Sequence, residues 1–150
     1  MDEINHVVAH FLDGSLRKGT TEDFSPNRPS FHLHPIGGGA AEEIECKKLK
    51  AVFFVSDLNG NPDRRDIPGF LLGPGETNLG KKVAVRFMDK ELVFGYTLAY
   101  SRERRGFFLT PADPGSNNLR IYVLHHAAVE VKVGPAADIL AQKTQEREAA

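Results

Sequence analysis

Over most of the chain, apolar and polar side chains alternate in short runs, as in Val7, Ala9 and Phe11, in Val83, Val85 and Phe87, and in Phe107 and Leu109. Successive side chains of an extended strand point to opposite faces, so this period of two marks strands with one buried face. It predicts strands near 6–12, 16–24, 30–35, 43–47 and 50–55, then near 82–88, 92–100, 106–110, 119–124 and 127–133. The stretch Leu49 to Val55, with Phe53 and Phe54 adjacent, is apolar on both faces. It is either a central strand covered on both sides or an interface between copies or protomers. Asp13-Gly14 between two runs is a strong hairpin turn, because both residues tolerate positive φ. Asp89-Lys90-Glu91 is a weaker counterpart. After Gly134-Pro135 the pattern changes to Ala, Gln, Glu and Lys, with Ile139 and Leu140 the large apolar residues. That predicts a short polar C-terminal helix docked by this pair.

The two sets of strands read as copies. Sliding the chain along itself brings Val7 onto Val83, Phe11 onto Phe87, Asp13 onto Asp89, Gly19 onto Gly95, Phe24 onto Tyr100, Ser25 onto Ser101, Arg28 onto Arg104, Phe31 onto Phe107 and Pro35 onto Pro111. With one inserted residue, Ile44 then falls on Ile121, Cys46 on Val123, Ala51 on Ala128 and Val52 on Val129. A repeat of this kind decides the fold before any local feature does. The expectation is an all-β protein of two tandem five-stranded small barrels from an internal duplication. They occupy residues 1–55 and 83–133, with a linker over 56–82 and the helix or tail over 134–150. Gly19 and Gly95 inside the second strands are read as a bulge or sharp bend that lets the strands curl. The linker is rich in Gly, Pro, Asn and Asp, yet Ile67, Phe70, Leu71 and Leu72 are expected to pack in a groove between the copies.

Bulk properties narrow the field. With 150 residues and 41% apolar content, the chain can bury one sizeable core or two small cores that share an interface. Its 19 basic and 20 acidic side chains nearly cancel, so nucleic-acid binding has to come from a local patch. Cys46, the single cysteine, allows no internal disulfide and fits a reducing compartment. Met1 to His10 lacks a basic start and an apolar run, and no segment approaches the ~20 apolar residues of a membrane span. A cytoplasmic protein without membrane attachment is expected.

The best candidate for an interaction site is the arginine cluster Arg102, Arg104 and Arg105, with Arg28 at a repeat-equivalent place and Tyr100 or Phe24 adjacent. Guanidinium groups hold phosphate or carboxylate with two prongs, and an aromatic neighbour adds a stacking surface. Glu103 dilutes that charge, and a solvated loop is the plainer reading. His32 and His34 share a strand face at metal-binding spacing, with Glu42 or Glu43 nearby, but their counterparts Phe108 and Thr110 share no ligand role, and no metal is expected. His6 and His10 would share a face only on a helix, and adjacent His125 and His126 on a strand point oppositely. Ser25, Ser101 and Cys46 lie in no nucleophile motif. Gly37-Gly38-Gly39 opens no helix and so cradles no phosphate.

The order of strand, Asp-Gly turn, glycine-containing strand, Phe-x-Leu strand and the segment Leu124-His125-His126-Ala127-Ala128-Val129 resembles Sm-like barrels, whose bacterial members bind RNA as rings. Asp23-Phe24-Ser25-Pro26-Asn27-Arg28 resembles a degenerate form of the D/N-x-S-x-x-G element of PilZ domains, small barrels that bind a cyclic dinucleotide, with Arg28 in place of the final glycine. From the residues we expect a non-catalytic binding or adaptor module without a cofactor. The two barrels are expected to pack face to face, with the loops Ser25–Pro29 and Ser101–Gly106 presenting the binding surface. A protein partner or a small anionic ligand is the favoured occupant, nucleotide or RNA binding is the alternative, and self-association stays open.

Overall fold

The alternating runs become strands in the computed structural model, which describes residues 4–60, 66, 69–70 and 79–149. Strands β1 (Asn5–Phe11), β2 (Leu16–Thr21), β3 (Ser30–Pro35), β4 (Glu42–Glu45) and β5 (Leu49–Val55) are followed by β6 (Lys81–Phe87), β7 (Leu92–Thr97), β8 (Gly106–Pro111), β9 (Asn118–Leu124) and β10 (Ala128–Val133), and helix α1 (Pro135–Ala149) closes the chain. All ten strands pair antiparallel in one open sheet of order β10-β6-β7-β8-β9-β5-β1-β2-β3-β4. This replaces the expected pair of closed barrels: among the described residues no ladder joins β4 to β5 or β9 to β10. The halves also meet edge to edge through β5 and β9 rather than face to face.

The strand order β5-β1-β2-β3-β4 recurs as β10-β6-β7-β8-β9. Pairing corrects the register read from sequence in the second part of each half. Phe31 lies opposite Ile44 and Phe107 opposite Val123, so Ile44 corresponds to Val123 rather than Ile121. Cys46 then corresponds to His125, Ala51 to Glu130 and Val52 to Val131. Three residues, not one, are inserted between the paired positions, and they lengthen β9 to seven residues against four in β4; short aliphatic residues match at either offset. Loop hydrogen bonds agree: Cys46 N donates to Pro29 O as His125 N does to Arg105 O, and Leu12 N to Lys48 O as Met88 N does to Ala127 O. The chain passes from β4 into β5 through a 3-10 turn, Cys46–Lys48, and from β9 into β10 through another, His125–Ala127, so Cys46, Lys47 and Ala127, expected at strand ends, belong to these turns.

The ladders run regularly through Gly19 and Gly95. The irregularities fall instead at Lys50 and at its counterpart Val129, each skipped in the pairing with the first strand of its half. The glycines are required because β3 and β8 approach closely: a Cβ on Gly19 or Gly95 would collide with the carbonyl oxygen of His34 or Thr110. In the first hairpin Gly14 takes φ 90°, and Lys90 takes φ 76° at the same place in the second. The two turns therefore share one geometry despite their different chemistry.

Strand β5 is buried along its whole length because it is central to the sheet, whereas its counterpart β10 is an edge and is mostly half-exposed. Val52 and Phe54 face a first core with Val7, Phe31, Leu33, Ile44 and Tyr122. Ala51, Phe53 and Val55 face a second core with Val83, Val85, Phe87, Leu109 and Ile121. Both readings of Leu49–Val55 hold at once, since the strand is covered on two sides and is also the joint between halves. Each large aliphatic or aromatic side chain buried there contributes roughly 1.5–3 kcal/mol. At the outer edges, charges occupy the places of seam residues, with Glu42 and Glu43 for Ile121 and Tyr122, and Glu130 and Lys132 for Ala51 and Phe53. Charged edges of this kind resist further strand addition.

The skipped residue Lys50 reaches across the joint to the β6–β7 turn. Its Nζ donates to Asp89 at 2.7 Å and to Glu91, and lies 4.7 Å from the centre of the Phe87 ring. Beside it, His10 stacks on Phe53 at 4.0 Å, and burial followed by the Lys50 charge pushes its imidazole from 6.5 down to about 4. Unfolded chains therefore bind a proton that the folded protein refuses, and stability should fall as pH drops from about 6.5 towards 4. At about 1.4 kcal/mol per pH unit the loss is of order 2–3 kcal/mol. Urea denaturation of wild type and His10→Leu across that window should show a steeper decline for wild type. Equal slopes would refute the assignment.

Helix α1 lies against the outer face of β6 and β7, where Ala84, Phe94, Tyr96 and Ala112 cluster with Ala137 and Ala141. Leu140 joins this cluster as expected, whereas Ile139 is 56% exposed. The buried Lys82 fixes the helix through Asp138 at 2.7 Å. Phe70, from the connecting segment, packs edge-on against Phe94 and Tyr96, both at 5.7 Å. It thus sits under the helix rather than between the halves, while Ile67, Leu71 and Leu72 lie outside the described residues.

Candidate functional site

The seam determines which loops become neighbours. Because β9 pairs with β5, the β7–β8 loop of the second half comes against the β2–β3 loop of the first, and Arg105 Nη1 donates to the Arg28 carbonyl at 2.8 Å. Pro26 and Asn27 from one loop and Leu98, Ala99, Arg104 and Arg105 from the other line a cavity of about 820 Å³. Its remaining walls come from Leu79, from Tyr96 and Thr110, and from Gly106, Phe107, Phe108, Arg120 and Tyr122 at the start of β8 and along β9.

An aromatic stack runs under one side of this space. Phe24 meets Phe31, Phe54 and Tyr122 edge-on at 5.2, 5.3 and 5.2 Å, and Phe108 lies 4.9 Å from Tyr122. The Arg120 guanidinium rests on these rings, 4.4 Å from the centre of Phe54 and 4.6 Å from that of Phe108. Such stacking on two rings restrains a long side chain and leaves its donor edge open. Among the described residues no carboxylate forms an ion pair with Arg104, Arg105 or Arg120. Burial pushes the phenols of Tyr96 and Tyr122 up, so both remain protonated donors. The Tyr96 hydroxyl is buried and has no hydrogen-bond partner among the described residues.

Of the residues picked from sequence, Arg104 and Arg105 line the cavity. Arg28 contributes its carbonyl to the tie with Arg105. Arg102 is exposed and lies off the lining. Tyr100 turns away, packing edge-on against Phe107 at 5.0 Å and near His125 at 5.6 Å, as its counterpart Phe24 packs on Phe31. The two loops expected to present the binding surface do come together. Sequence reasoning missed Arg120 and Tyr96. The signal for Arg120 was a lone charge in an otherwise apolar part of β9, but its importance depends on the seam, which no local pattern reveals.

The other chemical candidates are engaged elsewhere. His32 Nδ1 lies 2.7 Å from Asp23 Oδ2, and His32 also donates its backbone N–H to that carboxylate. Burial raises the Asp23 carboxyl, but the bonds from His32 and Thr21 outweigh this and hold it below the usual range. His34 pairs across to Thr20. His125 and His126 sit in the 3-10 turn rather than on a strand, and each donates Nε2–H to a carbonyl, of Ser101 at 2.9 Å and Leu49 at 2.6 Å. Cys46 is buried, which pushes its thiol up against the opposing pull of Arg105. Among the described residues no three His, Cys, Asp or Glu side chains converge on one point, and no helix is long and apolar enough to cross a membrane.

The model of a family of unknown function, DUF6982, matches residues 3–134, ending just before α1. No curated protein and no solved structure matches the chain.

Proposed function

The chain belongs to this DUF6982 family, and since membership brings no activity with it, we propose from the geometry that the protein is a non-catalytic binding module that holds a small anionic ligand in the seam cavity. One observation carries the proposal: three arginines, none with a carboxylate ion-pair partner among the described residues, line one cavity that both halves build. Solvated arginines in a loop would not require a partner on another strand, whereas Arg120, on β9, is held against the rings of Phe54 and Phe108 and lines the same space. Among the described residues His32, engaged by Asp23, has no hydroxyl or thiol hydrogen-bonded to its imidazole, and a buried, protonated thiol is a poor nucleophile. Both features favour binding over turnover, and cytoplasmic residence belongs to the same proposal.

Pyrophosphate and citrate test it by calorimetry and thermal shift, since a ligand that prefers the folded state raises the melting temperature. Arg104→Ala and Arg120→Ala are each expected to weaken binding about tenfold or more, equivalent to about 1.4 kcal/mol. Unchanged affinity in both variants, or turnover that depends on His32 or Cys46, would overturn the proposal.

Nucleotide binding is a second reading, favoured specifically by the aromatic walls. RNA would engage the same arginines and would show a steep salt dependence.

A further inference from the structure

We propose that His32, His34 and Glu43 bind a divalent transition-metal ion of the zinc class on the exposed face of the β3–β4 hairpin, with water in the remaining position. The site is separate from the seam cavity, whose lining contains none of these residues. Strand β3 brings the two imidazoles to one face, two residues apart, and both are exposed. Pairing then selects the carboxylate. Glu43 lies directly opposite His32 on β4, and residues opposite one another in an antiparallel ladder share a face with Cβ atoms about 5 Å apart. Glu42 pairs with Leu33 and is engaged by Arg17 at 3.5 Å, whereas Glu43 forms no ion pair or hydrogen bond among the described residues. Two imidazoles and a carboxylate suit zinc, nickel or iron(II), while calcium and magnesium take oxygen ligands.

His32 is prepared for this role. Asp23 accepts its backbone N–H at 2.8 Å and lies 2.7 Å from Nδ1, and Thr21 donates to the same carboxylate at 3.2 Å. A carboxylate only accepts, so Nδ1 carries the proton and Nε2 keeps the lone pair that binds metal. A carboxylate behind a histidine ligand fixes its tautomer and its direction. An exposed strand face needs polar side chains of any kind, but it does not need one imidazole clamped in this way. The second half has no such arrangement: Ala99, Phe108, Thr110 and Tyr122 stand in the places of Asp23, His32, His34 and Glu43, and Thr97 donates to the Phe108 carbonyl instead. Phe108 and Tyr122 pack together at the seam, 4.9 Å apart, so the covered half carries rings where the free half carries ligands. The missing ligands at the counterparts thus follow from burial and do not weigh against a metal at His32 and His34. In the structure the three donor groups stand apart. His34 and Glu43 are exposed and unpaired among the described residues, so they close on the ion by side-chain rotation while Asp23 holds His32.

The test titrates the untagged full chain with zinc chloride by calorimetry, and with cobalt(II), whose visible absorption intensifies in a tetrahedral site. One zinc per chain is expected, with calcium and magnesium about a hundredfold weaker or more. His32→Gln, His34→Gln and Glu43→Gln should each weaken zinc about tenfold or more and diminish the cobalt absorption. Asp23→Asn, a change in a positioning residue, should also cost about tenfold. Arg104→Ala, in the seam cavity, should leave zinc binding unchanged. The inference is overturned if zinc does not bind, if calcium equals it, or if His34→Gln or Glu43→Gln keeps full affinity. It also falls if Asp23→Asn lowers stability in urea without moving zinc affinity. His6 lies opposite Thr20, which also faces His34, so a loss in His6→Gln equal to that in His34→Gln would place the ion elsewhere and overturn the assignment. A zinc-dependent dimer in sedimentation, with one ion for two chains, would likewise overturn a site built by one chain.

Discussion

Phe54→Ala is expected to cost about 3–5 kcal/mol of unfolding free energy, the usual range for truncating a buried aromatic. The position explains why the upper part of that range applies. Phe54 is 2% exposed on the strand that joins the halves, and its ring is contacted by Phe24, Phe108 and the Arg120 guanidinium. Phe24 and Phe108 are themselves held by neighbouring rings, so the surroundings cannot readily collapse into the vacated space. Its counterpart Val133 stands on the edge strand β10 and is half-exposed. Val133→Ala should therefore cost about 1 kcal/mol or less, which makes it the natural control. Urea denaturation followed by circular dichroism measures both, and a loss below about 1.5 kcal/mol for Phe54→Ala would show that the seam relaxes around the cavity. The same variant should also weaken anion binding, because Arg120 loses one of its two supports.

Gly95→Ala should be comparably severe, although it adds only a methyl group. The new carbon would strike the Thr110 carbonyl oxygen and lie 2.7 Å from Leu109 Cδ1. A leucine can change rotamer, but a carbonyl held in a sheet moves only with its strand. The β7–β8 ladder has just two paired positions, Gly95 with Pro111 and Tyr96 with Thr110, so pushing β8 away sacrifices it. Overpacking in a core typically costs 1–3 kcal/mol, and the backbone collision places this case at about 3 kcal/mol. For a chain of this length that corresponds to a fall in melting temperature of roughly 6–12 °C. Gly37→Ala meets nothing within 4 Å and serves as the neutral comparison. A Gly95→Ala protein melting within about 2 °C of wild type would refute the close-approach explanation.

The ten strands and the terminal helix were legible in the sequence because period-two alternation and a change of composition are local signals. Long-range facts were not. Alternation in β5 shows that both faces are apolar, but only the partner strand β9 says what covers them. Matching Ile44 to Ile121 looked sound because identical residues aligned, yet hydrogen-bonded pairing assigns Ile44 to Val123; three extra residues at the start of β9 are invisible to a comparison that small aliphatic residues satisfy at either offset. Arg104 and Arg105 stood out as a cluster of charge. Arg120 stood alone in sequence, fifteen residues beyond Arg105, and reaches the same cavity through the β8–β9 ladder and its contact with Phe54 across the seam. Tyr100 was chosen for proximity to the cluster, but it follows the direction of its counterpart Phe24 and packs inward on the ring beside it.

The β5–β9 ladder and two shared cores join the halves directly, whatever the connection between Val55 and Lys81. Cutting the chain in that segment would leave every hydrogen bond of the β5–β9 ladder in place while releasing one piece from the other. Folding would then become a bimolecular event governed by concentration, so the two pieces amount to a complementing pair whose reassembly rebuilds the cavity, and with it any signal that an occupant of the cavity provides.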